Sequence, residues 1–139
     1  MNRTDFQKLA NLRIKEAKIL LENRYYAGSY YLAGYAVECA LKACIAKRTK
    51  RYDFPPPTGV IRNIYTHELE TLMKSANLWT SFSRDAATNP TLAAYWVAVK
   101  AWSAERRYEL HITEPMARDM YKAITDIKHG VLSWLKKSW

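Results

Sequence analysis

The 139-residue chain has little that punctuates or cross-links a fold: four glycines, five prolines and two cysteines. So few turn formers leave no room for a sheet of many short strands, each of which needs its own tight connection. The cysteines, Cys39 and Cys44, stand five apart in a helical pattern, which turns their side chains about 140° from one another and excludes a bridge between them. They read as small core residues of a protein in a reducing compartment.

Several chemistries are missing as well. Neither G-x-G-x-x-G nor G-x4-G-K-[ST] occurs, so no glycine-rich loop cradles a phosphate. His67, His111 and His129 fall on separate segments and no cysteine pair has ligand spacing, so no metal or other cofactor is expected. No serine lies in a nucleophile elbow. The longest apolar run is interrupted by Glu38 and Lys42 and falls short of the roughly 20 residues of a membrane span. The amino-terminal MNRTDFQKLA is too polar for a targeting segment. The expectation is one soluble, cytoplasmic domain over residues 1–139 that makes no use of a membrane.

What the chain does have is apolar mass and positive charge. With 49% hydrophobic residues it can bury a core, and 22 Lys and Arg against 13 Asp and Glu leave it at +9. Such a balance attracts a polyanion such as RNA, or an acidic partner, wherever the charge gathers on one face.

Periodicity predicts helices throughout. Thr4 and Asp5 start a first one running to about Asn23. After NRYYAG, residues 32–43 read LAGYAVECALKA. Here Tyr30, Gly34, Val37, Leu41 and Cys44/Ile45 form a core stripe, and Tyr31, Tyr35, Glu38 and Lys42 form an aromatic and charged stripe beside it. Ala27, Gly28, Ala33, Gly34, Ala36, Ala40 and Ala43 invite a second helix to approach closely. Residues 49–65 contain Pro55, Pro56 and Pro57 and read as a loop or functional arm. Thr66 is expected to cap a helix through about Ala76, with a shorter one over residues 80–87. Asn89 and Pro90 open a helix expected to reach Arg107 or Tyr108, whose stripe of Leu92, Trp96, Val99 and Trp102/Ser103 leads onto Arg106. Thr113 and Pro115 open the last helix, with a stripe of Met120, Ile124, Ile127, Val131 and Trp134/Leu135. Arg118, Lys122, Asp126 and His129 spread over about 16 Å along its other side and read as a solvated face.

The wording AGYAVECALKA at 33–43 resembles the second helix of the HEPN domain family. Further pieces agree in order: EAKILLENRYYAGSYYLAGYA at 16–36, THELETL at 66–72 and W-x3-RRY at 102–108, so that the resemblance spans roughly residues 10–136. It implies an all-α antiparallel bundle of four principal helices with one or two short extra ones, usually dimeric. Members of the family are metal-independent ribonucleases, toxins paired with nucleotidyltransferase antitoxins, or non-catalytic RNA and nucleotide binders. Active members share an R-x4-6-H motif, which Arg106-x4-His111 satisfies, although Arg107 and Tyr108 stand where Asn, Asp or His usually follows the arginine. On this resemblance Arg106 and His111 are the catalytic pair, Glu38 orients Arg106, and Arg107 and Tyr108 support it.

On an unbroken helix residues five apart diverge by about 140°, so Arg106 and His111 converge only where the helix ends near Tyr108. Their chemistry would be general acid–base transfer by the imidazole and charge stabilisation by the guanidinium. Tyr31, Tyr35 and Lys42 are candidate RNA or nucleotide contacts, with interior or dimer packing the alternative for the tyrosines. For Arg106 the plainer alternative is an arginine snorkelling from an amphipathic stripe; for His111 it is a loop histidine; and His67, beside a helix start, reads as structural. Two function classes stay open, an RNA- or nucleotide-binding protein that is also a ribonuclease of toxin–antitoxin type and a non-catalytic module that holds RNA, nucleotide or a nucleotidyltransferase partner, with a protein-interaction scaffold that uses no nucleic acid as a third.

Overall fold

The computed structural model describes residues 1–49 and 64–139, except for the side chain of Arg107; the expected proline arm therefore lies outside the described residues apart from Thr49, Ile64 and Tyr65. Every regular element described is helical: α1 (Arg3–Glu22), α2 (Tyr26–Arg48), α3 (Leu69–Ser75), α4 (Trp79–Thr88), α5 (Pro90–Lys100), a 3-10 turn (Ala104–Tyr108), α6 (Glu114–Thr125) and α7 (Val131–Lys136). The all-α bundle expected from the sequence is the fold.

Helix α2 is its axis, packed against α1, α3, α6, α7 and the 3-10 turn. Its predicted core stripe is buried, and so are Ala33, Ala36, Ala40 and Ala43 on other sides, because neighbours cover most of its circumference. Small residues set the close approach of α1, where Ala10 and Ala17 are fully buried and Ser29 Oγ donates to the Ala17 carbonyl at 2.8 Å. At Gly34 a Cβ atom would sit 2.3 Å from the Trp102 indole, so only glycine lets that ring lie on the helix.

Several boundaries differ from the expected ones. Helix α1 starts earlier because Asn2, not Thr4 or Asp5, is its cap: Asn2 Oδ1 accepts from the Asp5 N–H at 2.9 Å and Asp5 Oδ2 accepts from the Asn2 N–H at 3.0 Å. Thr66 Oγ1 accepts from the Glu68 N–H and makes a turn ahead of α3 instead of capping it. Asn89 and Thr113 cap as expected, their side chains accepting from the N–H groups of Leu92 and Met116.

Two longer helices were expected where the chain breaks. Helix α5 stops at Lys100, and Ser103 is extended (φ −143°, ψ 162°) before the 3-10 turn begins. The last helix is cut after Thr125. There Asp126 Oδ1 accepts from the N–H groups of Lys128 and His129, and the Asp126 carbonyl accepts from Gly130 N and Ser133 Oγ. Ile127 consequently leaves the predicted stripe and is 93% exposed. Asp126 and His129 belong to this turn, so they do not share a solvated helix face with Arg118 and Lys122. Beneath α4, α5 and α7 an aromatic cluster closes the bundle: Phe82 lies edge-on to Trp134 at 5.0 Å between ring centroids and 5.2 Å from Trp96.

Candidate functional site

Trp102 is the anchor from which the Arg106 segment departs. Its buried indole rests on Gly34 and lies 5.8 Å from the Tyr31 ring. The chain then takes one tight turn, in which the Arg106 N–H donates to the Ser103 carbonyl and the Glu109 N–H to the Arg106 carbonyl, both at 3.0 Å. From Glu109 it runs extended to the Thr113 cap. Arg106 is therefore carried on a short turn rather than on the stripe of α5, and helical structure ends at Tyr108.

The Arg106 guanidinium is about one-third exposed, lies 6.0 Å from the centroid of the Tyr30 ring, and has Nη1 3.6 Å from Glu109 Oε2. The other oxygen of Glu109 accepts from the His111 backbone N–H at 3.2 Å. One carboxylate thus ties the arginine to the start of the histidine, whose ring is in an exposed residue. Burial pushes the Tyr30 hydroxyl above its ordinary pKa, with Arg106 opposing that shift. Ala101, Ser103, Glu105, Arg106 and Glu109 line an open depression of about 350 Å³. Tyr108 is exposed, and the Arg107 side chain lies outside the described residues.

Glu38 does not reach this turn. Its side chain is 2% exposed, and Oε1 receives the Lys42 ammonium and the His67 Nδ1, each at 2.9 Å. A carboxylate only accepts, so His67 donates from Nδ1. Glu38 Oε2 is buried with no hydrogen-bond partner among the described residues. The expected pairing of Glu38 with Arg106 is replaced by this cluster because Arg106 sits beside Tyr30, eight residues or about 12 Å earlier along α2. Lys42 is only 15% exposed and already engaged. Tyr31 and Tyr35 are half-buried with rings 5° from parallel and 6.3 Å apart, and Arg13 lies 5.8 Å from the Tyr35 centroid. Their faces meet protein groups on the flank of the core.

Glu109 was not singled out from the sequence, and His67 was read as structural without its partner. Glu109 was signalled only by its position inside the Arg106–His111 spacing. The role of His67 depends on a contact with a residue 29 positions away, for which the sequence carries no local signal. Elsewhere, a polar cleft of about 440 Å³ lies at the turns before α5 and α7, where the Asn89 amide nitrogen meets His129 Nδ1 at 3.1 Å. Asn89 uses its oxygen on the Leu92 N–H, so its nitrogen donates and His129 Nδ1 accepts. Burial pushes both cysteine thiols up to about 11, which keeps them protonated and poorly nucleophilic at neutral pH. No cluster of metal-binding side chains occurs among the described residues, and no helix described is long and apolar enough to cross a membrane.

One comparison with known families covers the bundle from α1 to the start of α7. The family described as the HEPN domain matches residues 5–131, nearly the whole chain, and the protein belongs to that family. No curated protein and no solved structure matches it.

Proposed function

We propose that this HEPN protein binds RNA and cleaves it without a metal ion, as a cytoplasmic homodimer and the toxin of a toxin–antitoxin pair. In this reading Arg106 holds the phosphate and His111 transfers protons. The observation that carries it is the shared turn: a partly exposed guanidinium and an exposed histidine held by one carboxylate at the point where helical structure stops. His111 takes the proton of a 2′-hydroxyl, the freed oxygen attacks phosphorus, and the 5′ oxygen leaves with a proton from a second acid. Arg106 stabilises charge on the phosphoryl oxygens. The products are a 2′,3′-cyclic phosphate and a 5′-hydroxyl.

A second protomer supplies the second acid in this scheme. Support for a dimer comes from apolar surface next to the motif: Leu110 is 84% and Tyr25 66% exposed, and both line a depression of about 280 Å³ with Tyr26 and Ile112.

The alternative is a non-catalytic module that holds RNA or nucleotide, or engages a nucleotidyltransferase-type antitoxin, and one observation favours its protein-partner form. Glu105 and Glu109 line the same depression as Arg106, which is unfavourable for a phosphate. Filter binding of single-stranded RNA at low and moderate salt separates the readings that include RNA from the protein-partner one. RNA binding predicts an affinity that falls steeply with salt as counterions are released. Absence of affinity at low salt, or affinity unchanged by salt, leaves the protein-partner reading in its place.

A further inference from the structure

The Arg106 turn carries its own competitor for phosphate. Glu109 Oε2 lies 3.6 Å from Arg106 Nη1, where a phosphoryl oxygen would lie if the arginine held RNA. Glu109 is not a freely moving neighbour. Its N–H donates to the Arg106 carbonyl at 3.0 Å and its Oε1 accepts from the His111 N–H at 3.2 Å, so backbone contacts on both sides aim the carboxylate at the guanidinium. Glu105 lines the same depression, but no ion pair joins it to Arg106 among the described residues.

We propose that Glu109 is an internal latch that sets the affinity of Arg106 for RNA, and that a phosphodiester binds there by displacing its carboxylate. This rests on the RNA reading above and adds the residue that tunes it. The exchange is one anion for another on a single guanidinium, so the cation is never left without a partner. Both side chains are about one-third exposed, so solvent screens the pair and displacement is within reach of an ordinary phosphate contact. When the carboxylate swings away, the His111 N–H loses its acceptor too. The latch therefore links phosphate arrival at Arg106 to release of the segment that carries His111.

A double-mutant cycle on binding of a short single-stranded RNA at low salt tests this, with circular dichroism confirming the fold of each variant. Removing any negative charge from a basic protein favours RNA, so the cycle must isolate the pair. Glu109→Gln should tighten binding by about 3- to 10-fold when Arg106 is present and by less than about 2-fold in the Arg106→Ala background. Glu105→Gln, in the same depression, should change affinity by less than about 2-fold. Equal tightening with and without Arg106, or none, would overturn the latch while leaving RNA binding intact. If neither the unaltered protein nor Glu109→Gln binds RNA, the RNA reading itself fails and the latch goes with it.

Discussion

Glu38 holds His67, not Arg106: its Oε1 lies 2.9 Å from the His67 Nδ1 and also accepts from Lys42, while Arg106 is paired with Glu109 on a separate turn. The pairing ties the segment before α3 to the middle of α2. It also places a carboxylate deep in the bundle, where ionic groups persist only with partners.

Glu38→Ala should therefore destabilise the protein by about 2–4 kcal/mol, because the largely buried Lys42 ammonium loses its acceptor. His67→Ala should cost less than about 1.5 kcal/mol, since that side chain is 58% exposed and Glu38 Oε1 keeps its contact with Lys42. Urea denaturation midpoints check the order. A larger loss from His67→Ala than from Glu38→Ala would show that the cluster is arranged differently.

The Gly34–Trp102 contact predicts a steric penalty. In Gly34→Ala the new methyl meets the indole at 2.3 Å, so the ring or the helix must shift, at a cost of about 1–3 kcal/mol. Trp102 is also the last fixed point before Arg106, so the same variant should weaken RNA binding more than its loss of stability explains. Thermal unfolding together with RNA titration measures both effects. An unchanged melting temperature would mean that the ring does not rest there.

Much of this architecture was legible in residue order. Asn89 with Pro90 and Thr113 with Pro115 marked helix starts because side-chain caps and proline geometry act within a few residues. The stripe through Tyr30, Gly34, Val37 and Leu41 marked the buried face of α2 because burial follows helical period. The two internal breaks were not legible from the same period, since Trp102 and Ile127 each fall where an uninterrupted stripe would place an apolar residue. Asp126 and Gly130 carried the signal for the second break: the carboxylate caps the turn, and a Cβ at residue 130 would meet the Asp126 carbonyl at 2.4 Å. The site was legible only as a spacing. Which carboxylate faces Arg106 is decided by the 3-10 turn, which places Glu109 there and leaves Glu38 two turns away.

The Asp126 turn gives a pH dependence with a defined sign. Backbone N–H bonds from Lys128 and His129 hold its carboxyl below the ordinary carboxylate value in the folded protein. A carboxyl depressed by folding contributes stability above its unfolded pKa, near about 4, and that contribution is lost as pH falls through the lower folded value. Stability should therefore drop below about pH 4, and Asp126→Asn should flatten part of that drop. Denaturation midpoints from pH 6 down to pH 2.5 test this. An identical acid profile for the two proteins would remove Asp126 as a contributor.

Cleavage of single-stranded RNA in EDTA by the purified protein, compared with Arg106→Ala and His111→Ala, bears most directly on the proposed activity. The unaltered protein should cut and leave 2′,3′-cyclic phosphate ends. Each variant should lose at least about 100-fold in rate while keeping the helical spectrum and the oligomeric state of the unaltered protein, because each removes one whole catalytic role. Failure of the unaltered protein to cut RNA under any condition would contradict the nuclease reading, and cutting that survives His111→Ala would place the chemistry elsewhere in the chain.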